Sequence, residues 1–123
     1  MLSFSSFLPF AMALLFPSAS AESCQARLEV QQQEHQLTII AHCRNQSADV
    51  LHLRYELETE RDGANGSSRS TQGGRCTAAP GQDIVVSRVS VSATPSDRLL
   101  LRLRLLDQQG TVLAADSVEQ TAP

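Results

Sequence analysis

The sequence contains no tryptophan, and aromatic residues make up only 4% of its 123 residues. Because platforms that stack sugars or nucleic-acid bases are built from aromatic rings, we do not expect a site of that kind. The core must instead be built from Leu, Val, Ile and Ala. The formal net charge of -3 at pH 7 argues against general binding of nucleic acid, so any basic patch has to be local.

Motifs for catalysis and for metal binding are also missing. The three cysteines show no C-x-x-C spacing, which zinc sites and thioredoxin-type redox centres require. We expect the three histidines, His35, His42 and His52, to be solvent-facing polar residues rather than ligands. Serine, histidine and aspartate occur, but without a nucleophile elbow or an oxyanion loop. The sequence therefore predicts no catalytic residues, no metal and no cofactor.

The first 21 residues predict an export signal. Residues 4–16 are mostly apolar and uncharged, and Ala19-Ser20-Ala21 forms an A-x-A cleavage site, although a positive n-region is missing. The apolar run is too short to span a bilayer as a helix, and no later segment is apolar enough to do so. A short membrane anchor is the alternative. With cleavage after residue 21, residues 22–123 are long enough for one small domain that does not insert into the membrane.

Alternation of apolar and polar residues predicts seven β-strands in residues 22–123. The clearest strand has Leu51, Leu53, Tyr55 and Leu57 on one face and charged residues on the other, which is the period of a half-buried strand. A glycine-bearing turn follows, and the run up to residue 75 has hardly any apolar side chain, so it is expected to be an edge strand. No segment shows a helical period. The spacing of the strands predicts an all-β fold, a seven-stranded immunoglobulin-like β-sandwich.

The first hairpin predicts a disulfide bond. A turn through residues 32–35 opposes Val30 to Leu37 and Cys24 to Cys43, all on one face. In an exported protein, opposed thiols oxidise, so we expect a Cys24–Cys43 disulfide worth about 3 kcal/mol on the chain-entropy estimate. Cys76 is then left over, and we expect it to be a small buried hydrophobic residue.

Two further strands carry predictions about register. Residues 84–91 are rich in valine, but their alternation is broken, which indicates a β-bulge or burial on both sides. A tight turn at residues 107–110 opposes Leu105 to Val112 in the last hairpin.

The charged residues of the outer faces form two rows. Glu56, Glu58 and Glu60 lie along the third strand, and the neighbouring sixth strand of an immunoglobulin-like order carries arginines. A hairpin centred on residues 64–65 also opposes Glu60 to Arg69. One interpretation is a ladder in which acids and arginines pair with each other. The other is that the arginines bind an acidic or amide-rich partner. The candidate partner-binding residues are Arg69, Arg75, Arg88, Arg98, Arg102 and Arg104.

The chain resembles a known family over residues 24–119. The resemblance is carried mainly by the run ERDGANGSSRSTQGGRCTAAPGQDIVVSRVSVSATPSDRLLLRLRLLDQQG, which follows a short alternating strand and precedes a terminal strand. Its most specific parts are residues 68–74, Pro80-Gly81 and Ser96-Asp97-Arg98. It resembles the periplasmic curli assembly inhibitors of the CsgC/CsgH type. The resemblance implies an immunoglobulin-like sandwich in the periplasm. It also implies that the protein, as a chaperone-like monomer without ATP, holds back amyloid polymerisation of curli subunits, its expected partners.

One branch of this family carries C-x-C in the third strand, where this sequence has Leu51-His52-Leu53. A redox role of that kind is therefore not expected. Two other classes remain as alternatives: a structural or adhesive β-sandwich module of a surface fibre, and a disulfide-related oxidoreductase.

Overall fold

Two antiparallel β-sheets form the described part of the protein, residues 23–122 of a computed structural model. The strands are β1 (Cys24–Gln33), β2 (Gln36–Asn45), β3 (Leu51–Gly63), β4 (Gly66–Ala78), β5 (Asp83–Ser92), β6 (Arg98–Leu106) and β7 (Val112–Thr121). One sheet has the order β1-β2-β5 and the other the order β4-β3-β6-β7. The predicted seven-stranded β-sandwich is confirmed.

The predicted signal peptide lies outside the described residues, so its cleavage stays a prediction. Within residues 23–122, no helix is long and apolar enough to cross a membrane.

The core lies between the inner faces of the two sheets, and the period-2 pattern of the sequence explains its membership. In β6, Leu101, Leu103 and Leu105 are at most 1% exposed, and they meet Leu57 from β3 and Ile39 from β2. Each such side chain stabilises the fold by roughly 1.5–3 kcal/mol through removal of apolar surface from water. The core is thus aliphatic, as the lack of aromatic residues predicts.

A β-bulge in β5 resolves its broken alternation. The register between β2 and β5 shifts at Val86, which has no opposed residue. Because the bulge changes the parity of the strand, Ile84 before it, Val86 within it, and Val89 and Val91 after it all pack against the core. Of the two predicted alternatives, a β-bulge or burial on both sides, the structure shows the bulge.

The register predicted for the first hairpin is wrong by two residues. β1 and β2 are joined by a two-residue turn, Glu34-His35, in which Glu34 has a φ of 50°. The strands therefore extend further than predicted, and Cys24 opposes Asn45 rather than Cys43. A shift of two residues keeps every side chain on its face, which is why the apolar pattern did not reveal the error.

The register predicted for the last hairpin is also wrong. Leu105 opposes Ala114 rather than Val112, because a register shift falls between Leu105 and Leu106. The bulge takes up the additional residue next to the turn.

The cysteines lie together in the core, and no disulfide bond joins them in the structure. Cys24 and Cys43 are diagonal neighbours across the hairpin, and a thiol hydrogen bond between them, together with burial, raises the pKa of Cys43. Their oxidation to a disulfide stays a prediction. Cys76 is partly buried against the same core, and burial raises the pKa of its thiol. The described environment of Cys76 is thus that of a packed, weakly acidic thiol.

Asn45 joins the two sheets at one end of the sandwich. Its side chain is fully buried, and its Nδ2 donates to the carbonyl oxygens of Asp49 (2.7 Å) and Ala78 (2.9 Å). Its Oδ1 accepts from the backbone N–H and the hydroxyl of Ser47, at 2.8 and 2.7 Å. Because Ala78 ends β4, this amide fixes the end of β4 to the end of β2.

The two sheets contact each other more closely along one side of the sandwich than along the other. On one side β1 contacts β7, and the backbone N–H of Leu28 donates to Oδ2 of Asp116 at 2.8 Å. On the other side β4 barely contacts β5, and the described side-chain hydrogen bond between them runs from Ser87 Oγ to Gln72 Oε1, at 2.8 Å. All ten residues 66–75 of β4 are exposed. β4 is therefore an exposed edge strand of the four-stranded sheet, as predicted.

Candidate partner-binding surface

The candidate surface is the outer face of the four-stranded sheet, together with the exposed edge of β4. All ten basic residues of the protein are arginines. Five of the six predicted partner-binding residues lie on this sheet, on two strands that flank the acidic row of β3. They are Arg69 and Arg75 on β4, and Arg98, Arg102 and Arg104 on β6.

Arg88 lies apart from the other five. It belongs to β5 in the three-stranded sheet, where it opposes Ile40 and is exposed. The structure does not bring Arg88 together with the rest of the predicted set.

The middle of the surface is a ladder of ion pairs. Glu58 lies between two arginines: Arg69 donates from Nε to Oε2 at 2.7 Å, and Arg102 donates from Nη1 to Oε1 at 3.2 Å. Arg104 pairs with Glu56, and Glu60 lies 3.6 Å from Nε of Arg69. The interpretation of a mutually paired ladder therefore holds for Arg69, Arg102 and Arg104. Exposed pairs of this kind contribute roughly 0–1 kcal/mol each.

The ladder shifts the protonation equilibria of Glu58 and Arg69. The hydrogen bond from Arg69, with a smaller contribution from Arg102, holds the pKa of Glu58 below its ordinary value. In return, the hydrogen bond to Glu58 raises the pKa of Arg69. Both shifts have the sign expected when an opposite charge favours the ionised form.

Arg98 is paired too, but across the other side of its strand. Its Nη2 donates to Oε2 of Glu119 on β7 at 2.6 Å. Both side chains are more than half exposed, so the pair is accessible to solvent and to a partner.

Arg75 differs from the other four arginines of the surface. Among the residues that the structure describes, it has no acidic partner, and the residue directly opposite on β3 is Arg54. Arg54 was not among the predicted site residues. The sequence held the signal, because the correct pairing of Glu60 with Arg69 places Arg54 opposite Arg75 when it is continued along the two strands.

Two glycines make the edge beside Arg75 thin. Gly74 packs over Tyr55, where a Cβ atom would lie 2.9 Å from the ring. Gly73 lies on the outer face beside Glu56, where a Cβ atom would lie 2.9 Å from the carbonyl oxygen of Tyr55. The missing side chains leave an open groove of about 920 Å³ between residues 52–56 and 71–77.

One histidine departs from the prediction. His42 is only 14% exposed at its side chain, with Nε2 3.0 Å from Glu29 and Nδ1 3.7 Å from Asp83, so the solvent-facing assignment is wrong for it. The hydrogen bond from His42 lowers the pKa of Glu29. His52 and His35 are exposed. No group of three or more His, Cys, Asp or Glu side chains within residues 23–122 is arranged to hold a metal ion.

Comparisons with known proteins find solved structures with a similar fold but no match among family models or curated proteins. Among solved structures, the chain is similar to the E. coli curli protein CsgC, with a TM-score of 0.64 and 22% identity, over 77% of this chain and 97% of that one.

Two other solved structures extend the comparison. R. palustris CsgH superposes with a TM-score of 0.58 and 23% identity, over 75% of this chain and 89% of that one. A β-glucuronidase of Bacteroides uniformis gives a TM-score of 0.59 at 11% identity, but the match covers 14% of that enzyme and 81% of this chain. At these identities the likeness shows the fold, which is of the CsgC/CsgH type.

Proposed function

We propose that this protein is a chaperone-like inhibitor of amyloid polymerisation that acts on curli subunits through transient, electrostatically guided contacts. The proposal is supported by the fold, which resembles that of the curli protein CsgC over nearly its whole length. It is supported also by the sequence pattern of residues 1–21, which predicts export, so that the protein meets its partner in the periplasm.

The observation that carries the proposal is the exposure of β4. Amyloid grows when strands add to an unpaired edge, and β4 pairs only with β3 while residues 66–75 are exposed. This segment consists of Gly, Ser, Thr, Gln and Arg, so an added strand would gain backbone hydrogen bonds but no dry apolar interface. A contact of that kind is short-lived and does not template further growth.

The ion-pair ladder sets the strength of the contact. Arg69, Arg102 and Arg104 already have carboxylate partners, so a carboxylate of the incoming chain must displace Glu56, Glu58 or Glu60. The exchange costs little, because exposed pairs are weak. Arg75 needs no such exchange. Because all these groups are at the surface, screening by salt weakens the contact.

A dye-binding assay of fibre growth by the major curli subunit tests the proposal. Residues 22–123, added below stoichiometric amounts, should lengthen the lag phase, and the effect should weaken as salt is added. Arg75→Glu should weaken inhibition. Arg88→Glu, which makes the same change of charge on the other sheet, serves as the matched control and should inhibit like the unmodified protein.

Two results would count against the proposal. A lag phase that is unchanged at every ratio would overturn it. Recovery of the protein in the fibre pellet in amounts equal to the subunit would indicate a structural module of the fibre instead.

A further inference from the structure

Arg54 and Arg75 form a pair of like charges on the outer face of the β3–β4 hairpin. They are directly opposed in the register, and both are exposed. Within residues 23–122 neither side chain has an ion-pair or hydrogen-bond partner, whereas each arginine of the adjacent ladder has one. Like charges placed opposite each other destabilise a sheet. Unlike the arginines of the ladder, these two arginines can therefore bind a negatively charged group without displacing a carboxylate of the protein.

The surroundings of the pair supply hydrogen-bonding groups and space. Gly73 leaves the position next to Arg75 without a side chain, and the groove at that point has a volume of about 920 Å³. On the other side of the pair, Nδ1 of His52 lies 3.3 Å from the hydroxyl of Thr77. Gln108, from the turn before β7, also lines the groove. A small anion can therefore approach both guanidinium groups from solvent.

The charges nearby indicate which anion fits. Glu56 lines the groove beside the pair, and the rest of the acidic row follows it along β3. A polyanion such as a nucleic acid would be repelled by this row, and the net charge of -3 adds to that repulsion. A single carboxylate needs only the two arginines, whose planar forks match its two oxygens.

The position of the pair indicates how the carboxylate is presented. Arg75 lies on β4, whose outer edge is not paired with any strand among the described residues. A chain that lies along this edge in an extended conformation directs alternate side chains to the same face as Arg75. An acidic side chain at one of these positions reaches the pair while the backbone of the chain follows β4.

We propose that Arg54 and Arg75 form a receptor site for the carboxylate of one acidic side chain, carried by an extended polypeptide that lies along β4. The site rests on the proposed function, since it specifies which feature of the amyloid-forming partner is recognised. It assigns to Arg54 a role in binding, and it makes recognition depend on an Asp or Glu at a defined position rather than on total charge.

Titration of the isotope-labelled mature protein with a short blocked peptide, followed by NMR, tests the site. The peptide consists of Gln, Asn, Ser and Thr around one central Glu, and its twin has Gln in that place. The Glu peptide should shift the side-chain signals of both arginines and the amide signals of Gly73 and Gly74. It should bind about tenfold more tightly than its twin, which corresponds to about 1.4 kcal/mol.

Variants then separate the pair from general electrostatics. Arg54→Gln should remove most of the preference for the Glu peptide, while Arg88→Gln on the other sheet should keep it. Equal affinity for the two peptides, no binding of either peptide, or an unchanged preference in Arg54→Gln would each overturn the site. Tighter binding of a single-stranded oligonucleotide than of the Glu peptide would overturn it as well.

The dye-binding assay distinguishes a failure of this site from a failure of the proposed function. If Arg54→Gln still delays fibre growth and the peptides are not discriminated, the carboxylate site is wrong and the inhibitor function stands. If the Glu peptide binds as expected but the protein does not delay fibre growth, the site stands and the inhibitor function is wrong.

Discussion

Replacing Asn45 by Asp should destabilise the protein strongly, although the two side chains have nearly the same shape. The substitution keeps the oxygen that accepts from Ser47, but it removes the amide group that donates to the carbonyls of Asp49 and Ala78. In their place a charged oxygen would face two carbonyl oxygens inside a fully buried site. A buried charge in that position has no compensating partner.

The size of the effect follows from the groups that lose their partners. A buried acceptor without a hydrogen bond costs about 1–3 kcal/mol, and the carbonyl of Ala78 is the more deeply buried of the two. With the second carbonyl and the repulsion included, we expect Asn45→Asp to lower the free energy of unfolding by about 3 kcal/mol. In a chain of this size that corresponds to a fall in Tm of about 12–24 °C.

Chemical denaturation at pH 7, followed by circular dichroism, measures the loss. The matched control is Asn65→Asp. This substitution makes the same change of charge, but Asn65 is exposed in the β3–β4 turn. The control should stay within about 0.5 kcal/mol of the unmodified protein. If the two variants differ by less than about 1 kcal/mol, the amide of Asn45 does not hold the ends of the sheets together in the way described.

Three further predictions concern the core, the ladder and the cysteines. Leu103→Ala should lower the free energy of unfolding by about 3–5 kcal/mol, and a loss no larger than that of Leu100→Ala, on the outer face of the same strand, would contradict the described core. Because the pKa of Glu58 is lowered, its ion pairs stabilise the fold above its ordinary pKa, and this stability is lost as pH falls through the lowered value. The free energy of unfolding of Glu58→Gln should therefore fall less steeply with decreasing pH than that of the unmodified protein. An identical dependence on pH would refute this. Mass spectrometry of protein exported to an oxidising compartment should show Cys24 bonded to Cys43 and the third thiol open to alkylation; alkylation of all three thiols would refute the disulfide.

The faces of the strands could be predicted from the sequence, but their registers only in part. The odd positions of β3 and β6 alternate so regularly that Leu57 and Leu103 could be placed in the core without a structure. The first hairpin failed because a turn with Glu34 at positive φ carries none of the Gly or Asn signals that identify short turns. The error equals one full period of the strand, so the apolar pattern could not expose it.

The candidate surface shows the same division. Pairing of the rows on β3 and β6 could be predicted, since both are outer faces of neighbouring strands. The pairing of Arg98 with Glu119 could not be predicted, because it depends on the register between β6 and β7, which a bulge shifts. The burial of Asn45 and the bond from Leu28 to Asp116 join parts of the chain that lie far apart in sequence, and no local pattern predicts such contacts.

The hydrogen bond between Leu28 and Asp116 limits how another strand can add to β1. A subunit that elongates a fibre must be divalent: it accepts a strand on one edge and offers a second edge to the next subunit. Here the carboxylate of Asp116 occupies a backbone donor of β1, on the side opposite to β4. A strand that adds to β1 cannot use this donor, so we expect the proposed inhibitor to accept a strand at β4 more readily than at β1.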